Sequence, residues 1–172
     1  MKGFEYFMEE AILEAKAAYQ CNEVPVGAII TLQSEIIARA HNEVETRKDP
    51  TAHAEILAIQ RAAAIIGNHR LTETVMFVTI EPCGMCAGAM VWARIKRLVY
   101  GADDPKAGAC GSIVNLVQNP RLNHQIEVIR GVLEQEAREL IQRFFRERRE
   151  NKFITKAQRH GEETRSIQNS DS

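Results

Sequence analysis

The chain of 172 residues has no apolar run approaching the roughly 20 residues that span a bilayer, which argues against a transmembrane helix. Residues 1–10 lack the basic start, continuous apolar stretch and small-residue cleavage site of a secretory signal, so the cytoplasm is the expected location. Cysteine is scarce, with four in the whole chain. Two of them form a Cys-x-x-Cys pair, Cys83 and Cys86, so metal or redox chemistry in a reducing compartment is expected in place of a disulfide framework. Cys21 and Cys110 read as small hydrophobes. Net charge is scarce as well: at −1 there is no global field to attract a polyanion, and any nucleic-acid contact must come from local clusters of Lys and Arg.

What is present fits one folded domain over residues 1–151, with a hydrophobic content of 45% and a charged content of 26%. Residues 152–172 are polar and are expected to form a frayed tail. Apolar residues from Phe4 to Tyr19 recur at helical spacing. Pro25-Val26-Gly27 resets the chain into a strand at Ala28–Leu32, and Glu35–Ala40 returns as its hairpin partner. Asp49-Pro50-Thr51 resembles a helix start, placing His53 and Glu55 in the first turn of a helix that closes at Gly67. A strand at Thr74–Ile80 runs through Glu81-Pro82-Cys83 into a small-residue helix, Gly84–Arg94, which Cys83 and Cys86 open. Two more strands, Leu98–Tyr100 and Ile126–Ile129, flank an irregular stretch, and a last helix runs from about Glu134 to Arg149. Strands alternating with helices predict a three-layer α/β/α fold of the α/β class.

Two short segments carry the chemistry: His53-Ala54-Glu55 and Pro82-Cys83-Gly84-Met85-Cys86. One imidazole and two thiolates suit Zn2+, and a catalytic zinc keeps three protein ligands with its fourth position left for water. Cysteines at a helix start meet unpaired N–H groups and the positive end of the helix dipole, which favours the thiolate. Glu55, two residues beyond the histidine, is positioned to move protons without ligating the metal. Either motif alone is weak. Together, in this order and with a proline before the first cysteine, they match the signature of zinc-dependent nucleobase deaminases.

The longer segments Asp49-Pro50-Thr51-Ala52-His53-Ala54-Glu55 and Glu81-Pro82-Cys83-Gly84-Met85-Cys86-Ala87-Gly88-Ala89-Met90 closely resemble bacterial tRNA-specific adenosine deaminases. Glu23-Val24-Pro25-Val26-Gly27-Ala28, His41-Asn42, Gly101-Ala102-Asp103-Asp104, Asn123-His124 and Phe144-Phe145-Arg146 extend that resemblance to about residue 150. The resemblance implies a cytidine deaminase-like fold with a central mixed five-stranded sheet, one Zn2+ per subunit, a homodimer, and conversion of adenosine to inosine at the wobble position of a tRNA anticodon. An unpaired loop base suits such chemistry because it can be splayed into a pocket at modest unstacking cost.

The resemblance also implies that Asn42 hydrogen-bonds the flipped nucleotide and that Asp103, Lys106 and Asn123 contact flanking nucleotides. Each also has a plain reading as a turn residue satisfying local backbone. Of the pair Phe144 and Phe145, one is expected to pack and Phe145 to wall the RNA groove. Arg143, Arg146, Arg148, Arg149, Lys152, Lys156 and Arg159 concentrate positive charge on and after the last helix, as a phosphate-contacting edge requires. Gly84, Val91-Trp92-Ala93 and Cys110 depart from the family pattern, and none touches a proposed chemical role. Deaminases of free guanine, cytosine or nucleosides share the zinc motifs and are the rival enzyme reading. A catalytically idle zinc fold is the rival binding reading, against which Glu55 argues.

Overall fold

Alternation of side chains along each strand sorts the core of this protein into two sides of one sheet. In the computed structural model, which describes residues 3–168 and the side chains of residues 3–151, five strands form. They are β1 (Gly27–Leu32), β2 (Glu35–His41), β3 (Thr74–Ile80), β4 (Arg97–Ala102) and β5 (Glu127–Arg130), in the order β2-β1-β3-β4-β5. β1 pairs antiparallel with both β2 and β3, whereas β3, β4 and β5 run parallel, so the sheet is mixed. β3 sits at the centre and is buried on both faces, which is why its sequence is nearly continuous in apolar residues and threonine.

Ile29, Phe77 and Val99 point to one face and pack against Phe7, Met8, Ala11 and Ile12 of helix α1 (Phe4–Gln20). Ala28, Ile30, Met76, Val78, Leu98 and Tyr100 point to the other. There they meet Leu57, Ala58 and Ala62 of α3 (Ala54–Ile66) and Ala87 and Met90 of α4 (Gly84–Ala93). Helices on both faces of one sheet make the three layers of an α/β/α fold. α1 approaches β1 so closely that a Cβ at Gly27 would lie 2.0 Å from the carbonyl oxygen of Ala11.

Strand positions agree with the sequence reading to within about two residues. Helix starts differ at one place that matters. The pattern Asp49-Pro50-Thr51 does not open α3: Asp49 Oδ1 accepts from the backbone N–H and the hydroxyl of Thr51 at 2.8 and 2.7 Å, closing a local turn. The helix begins at Ala54 with His53 as its N-cap. A short helix not expected from sequence, α2 (Val44–Arg47), precedes that turn.

By internal contacts the chain divides into two units, Met1–Ile141 and Gln142–Ser172. The sheet and α1 to α4 belong to the first. Helix α5 (Glu134–Gln168) is described well beyond Arg149, where the sequence pattern ended it. Its run of Glu, Arg, Lys and Gln has good helix propensity despite its polarity. Residues 169–172 of the polar tail lie outside the described residues.

Candidate metal centre and active site

The C-terminal ends of the parallel strands, where open α/β sheets place their sites, gather the metal-capable segments and the loop after β4. β3 leaves the sheet into Glu81-Pro82-Cys83. β4 leaves it into the loop that begins at Asp103, and antiparallel β1 brings Gly27 to the same end, its N–H donating to Thr79 Oγ1 at 3.2 Å.

Cys83 is the N-cap of α4 and Cys86 lies in its first turn, while His53 is the N-cap of α3. The two helices thus aim their N-termini at one point. His53 Nδ1 lies 3.7 Å from Cys83 Sγ and 3.6 Å from Cys86 Sγ. Among the described residues, these three side chains form a group able to hold a metal ion, with their ligand atoms all within 4.8 Å of one another. A tetrahedral zinc with ordinary Zn–S and Zn–N bonds requires S···N separations of ~3.6 Å. The donor set and its spacing therefore fit zinc, and they fit an open site with three protein ligands.

The sulfurs already share charge unequally. Hydrogen bonding from Cys86, and then from His53, holds the Cys83 thiol well below its ordinary range, at about 3. Cys86, the donor in that pair and buried, is pushed up. The hydrogen bond with Cys83 raises His53, with burial opposing it. A bound cation would strip the remaining proton and make both sulfurs thiolates.

Glu55, in the first turn of α3, is buried at 4% exposure. Burial is the main cause that lifts its pKa to about 7, with the negative charge of Cys83 adding to it and His53 opposing. A carboxyl poised near neutrality beside a metal-capable triad is the arrangement of a proton carrier.

Asn42 follows β2 and is also buried, at 7%. Its Oδ1 accepts the Ala54 N–H at 2.9 Å, so it satisfies an unpaired donor at the start of α3. Its remaining donors are the two amide hydrogens. Asp103 and Lys106 are exposed on the loop after β4. Asp103 Oδ1 accepts from the hydroxyl of buried Tyr100 at 3.0 Å, which tethers the start of that loop to the sheet. The loop in turn reaches the metal triad, since Gly108 pairs with Cys83 and the Ala109 N–H donates to the Pro82 carbonyl at 2.9 Å.

Asn123 stands elsewhere, on a groove of about 220 Å³ lined by Gly88, Val91, Trp92, Leu116 and Leu122. Its neighbour His124 donates from Nε2 to the Ile95 carbonyl at 2.7 Å and so fixes that loop past the end of α4. Phe145 belongs to the second unit, where its exposed ring stands edge-on to Phe144 at 5.5 Å and Arg148 covers the Phe144 ring at 5.3 Å.

Two buried carboxylates escaped the sequence reading. Glu23 accepts from the backbone N–H groups of Glu45 and Thr46 at 3.1 and 2.6 Å and so anchors α2, next to Asn42. Glu81 accepts from Asp104, Cys110 and Ser112. Burial pushes the pKa of Glu81 up, and hydrogen bonds from Ser112, Asp104 and Cys110 more than offset this, leaving it below the ordinary carboxylate range. Only partners 22 to 31 residues away in sequence reveal either role, so no local spacing announces them.

A mixed sheet with helix N-termini converging on a His/Cys/Cys triad and a buried glutamate defines a nucleobase-deaminase type of site, and the MafB19-like deaminase family model matches residues 1–149. Among known proteins the chain is 50% identical over 148 residues to a tRNA-specific adenosine deaminase of Bacillus subtilis, covering 86% of this chain and 92% of that one. A solved tRNA:A34 deaminase, of the enzymes that carry out A-to-I editing at the wobble position of transfer RNA, superposes with a TM-score of 0.76 at 44% identity. It covers 78% of this chain and 98% of its own. The guanine deaminase of Bacillus subtilis is similar over less, 59% of this chain and 66% of its own, with a TM-score of 0.57 at 38% identity. The chain belongs to the tRNA-specific adenosine deaminase family.

Proposed function

We propose that this protein deaminates adenosine to inosine at the wobble position of a tRNA anticodon by hydrolysis, with zinc held by His53, Cys83 and Cys86. The observation that carries the chemistry is the convergence of those three ligand atoms within 4.8 Å beside the buried carboxyl of Glu55. Half identity to an enzyme named for tRNA adenosine, over nearly the whole of both chains, supports the substrate.

When bound, zinc would supply a Lewis acid that activates water toward the purine carbon bearing the amine. Glu55 then has one task in two directions. As the carboxylate it takes a proton from the attacking water and delivers it to the ring nitrogen. It carries the next proton to the departing amine, so that water and adenosine become inosine and ammonia. Burial raises the Glu55 pKa, and a carboxyl raised above its ordinary range suits both transfers. Its burial keeps bulk water from competing for the proton.

Asn42, its oxygen engaged by Ala54, offers its amide hydrogens to the flipped nucleotide. Asp103 and Lys106 meet flanking nucleotides from the loop after β4, and Asn123 meets them from the groove beside α4. The exposed ring of Phe145 offers a stacking face, and the Arg residues of α5 offer phosphate contacts. The working unit is a homodimer in the cytoplasm. Support for the dimer comes from α4, whose outward face carries Met85, Gly88 and Trp92 at helical spacing, with Trp92 79% exposed.

Purified zinc-loaded protein should form inosine in an anticodon stem-loop with adenosine at the wobble position and leave free guanine and cytosine unchanged. Deamination of a free base alone would assign the substrate to the guanine deaminase relatives and leave the zinc chemistry standing.

A further inference from the structure

Glu81 lies two residues before Cys83, and its carboxylate is engaged by the loop after β4. It is buried at 3% exposure. Oε1 accepts the N–H groups of Cys110 and Ser112 at 3.0 and 3.1 Å, and Oε2 accepts the Asp104 N–H at 3.0 Å and the Ser112 hydroxyl. One anion thus gathers donors from both ends of the segment 104–112. The fit is tight, because a Cβ at Gly108 would stand 2.3 Å from Oε2, so only glycine lets the loop wrap the carboxylate. The same loop is stitched to the metal triad through Gly108 opposite Cys83 and the bond from Ala109 to Pro82. Lys106 sits between the stitched points, its N–H held by Asp104 Oδ1 at 2.9 Å.

We infer that Glu81 is a positioning residue for substrate: by holding the 104–112 loop in one conformation against the Cys83 segment, it fixes where Lys106 and its neighbours meet the nucleotides flanking the reacting base. The inference rests on the RNA reading of the site. A carboxylate suits this role because an ionised acceptor binds several N–H donors at once, and each such bond is stronger than a neutral one. A purely structural Glu81 would affect folding or metal retention. A positioning Glu81 affects KM.

The test uses zinc-loaded wild type, Ser112→Ala, Ser112→Thr and Glu81→Gln with an anticodon stem-loop. Ser112→Ala removes one donor at the exposed rim and spares the core, so it remains informative if Glu81→Gln fails to fold. Ser112→Ala should keep its zinc and its kcat, raise KM about tenfold, and speed hydrogen exchange at the Asp104 and Cys110 amides. Ser112→Thr, which keeps the hydroxyl, should restore KM and slow exchange. An unchanged KM in Ser112→Ala, or a loss confined to zinc content or kcat, would overturn the role of Glu81. A wild type inactive on the stem-loop would show instead that the RNA reading had failed, and the inference with it.

Discussion

Asn42 Oδ1 accepts the backbone N–H of Ala54 at 2.9 Å, so the side chain proposed to grip the substrate also caps the helix that presents Glu55. The two roles use different ends of one amide and can be separated. Asn42→Ala loses the cap and should cost about 1–2 kcal/mol in thermal or urea unfolding. Asn42→Asp keeps an acceptor for Ala54 and so retains the cap, yet loses the donors offered to the nucleotide and with them ~10 to 100-fold in kcat/KM. Full activity in Asn42→Asp would leave Asn42 with the capping role alone.

Glu55 links activity and stability through one pKa. Burial raises it from the ordinary 4.5 to about 7, so folding of the zinc-free protein takes up a proton between those values. Below 4.5 the group is protonated in both states and is without effect. As pH rises through 7 the folded state must hold a buried charge, and stability is lost. Glu55→Gln abolishes that loss, so its melting temperature in the zinc-free protein should exceed that of wild type by several degrees at pH 8 and match it near pH 4. Zinc-loaded Glu55→Ala should keep the metal and lose ~100 to 10,000-fold in turnover. Wild-type kcat should fall on the acid side, once the pH is low enough to protonate the Glu55 carboxylate in the zinc-loaded enzyme. Turnover unaffected by the substitution would remove Glu55 from the proton path.

Cys83 and Cys86 reach His53 from a single helix start, which makes the ligand set cooperative. Cys83→Ser leaves a hydroxyl that stays protonated near neutral pH, and two ligands hold zinc far less well than three. The purified variant should contain well under one zinc per chain by metal analysis, where wild type holds about one. Equal zinc content in both would show that the metal is held elsewhere.

Much of this was legible from residues 1–149 because hydrophobic period and motif spacing are local signals. The strands, Thr74–Ile80 above all, follow from runs of Val, Thr and Ile. His53, Cys83 and Cys86 were legible as a candidate set through the type, order and spacing of two short motifs, and the structure brings the three side chains together. The start of α3 was not, since Asp49 and Pro50 give the composition of a helix start while Asp49 spends its oxygen on Thr51 in a separate turn. Glu23 and Glu81 were illegible for a different reason. A carboxylate in a sequence reads as surface, and only the distant N–H groups it gathers reveal that it is buried. The extent of α5 turned on helix propensity in a polar segment, where no apolar stripe marks an end.

Trp92 is the residue through which the proposed dimer can be tested. It is 79% exposed although it is the only tryptophan in the chain, and it borders the groove of about 220 Å³ with Gly88, Val91, Leu116 and Leu122. Large exposed aromatics beside an apolar groove mark association surfaces. Two copies related by a two-fold axis would each present ring and groove to the other. Trp92→Glu places a charge where that contact would be desolvated and should shift the sedimentation coefficient from dimer to monomer at micromolar protein. The fold should be unaffected, because the side chain contributes little to the core. Zinc content should stay unchanged, because the three ligand side chains come from one chain. A wild type that sediments as a monomer would refute the dimer, and a Trp92→Glu variant that remains dimeric would move its interface away from α4.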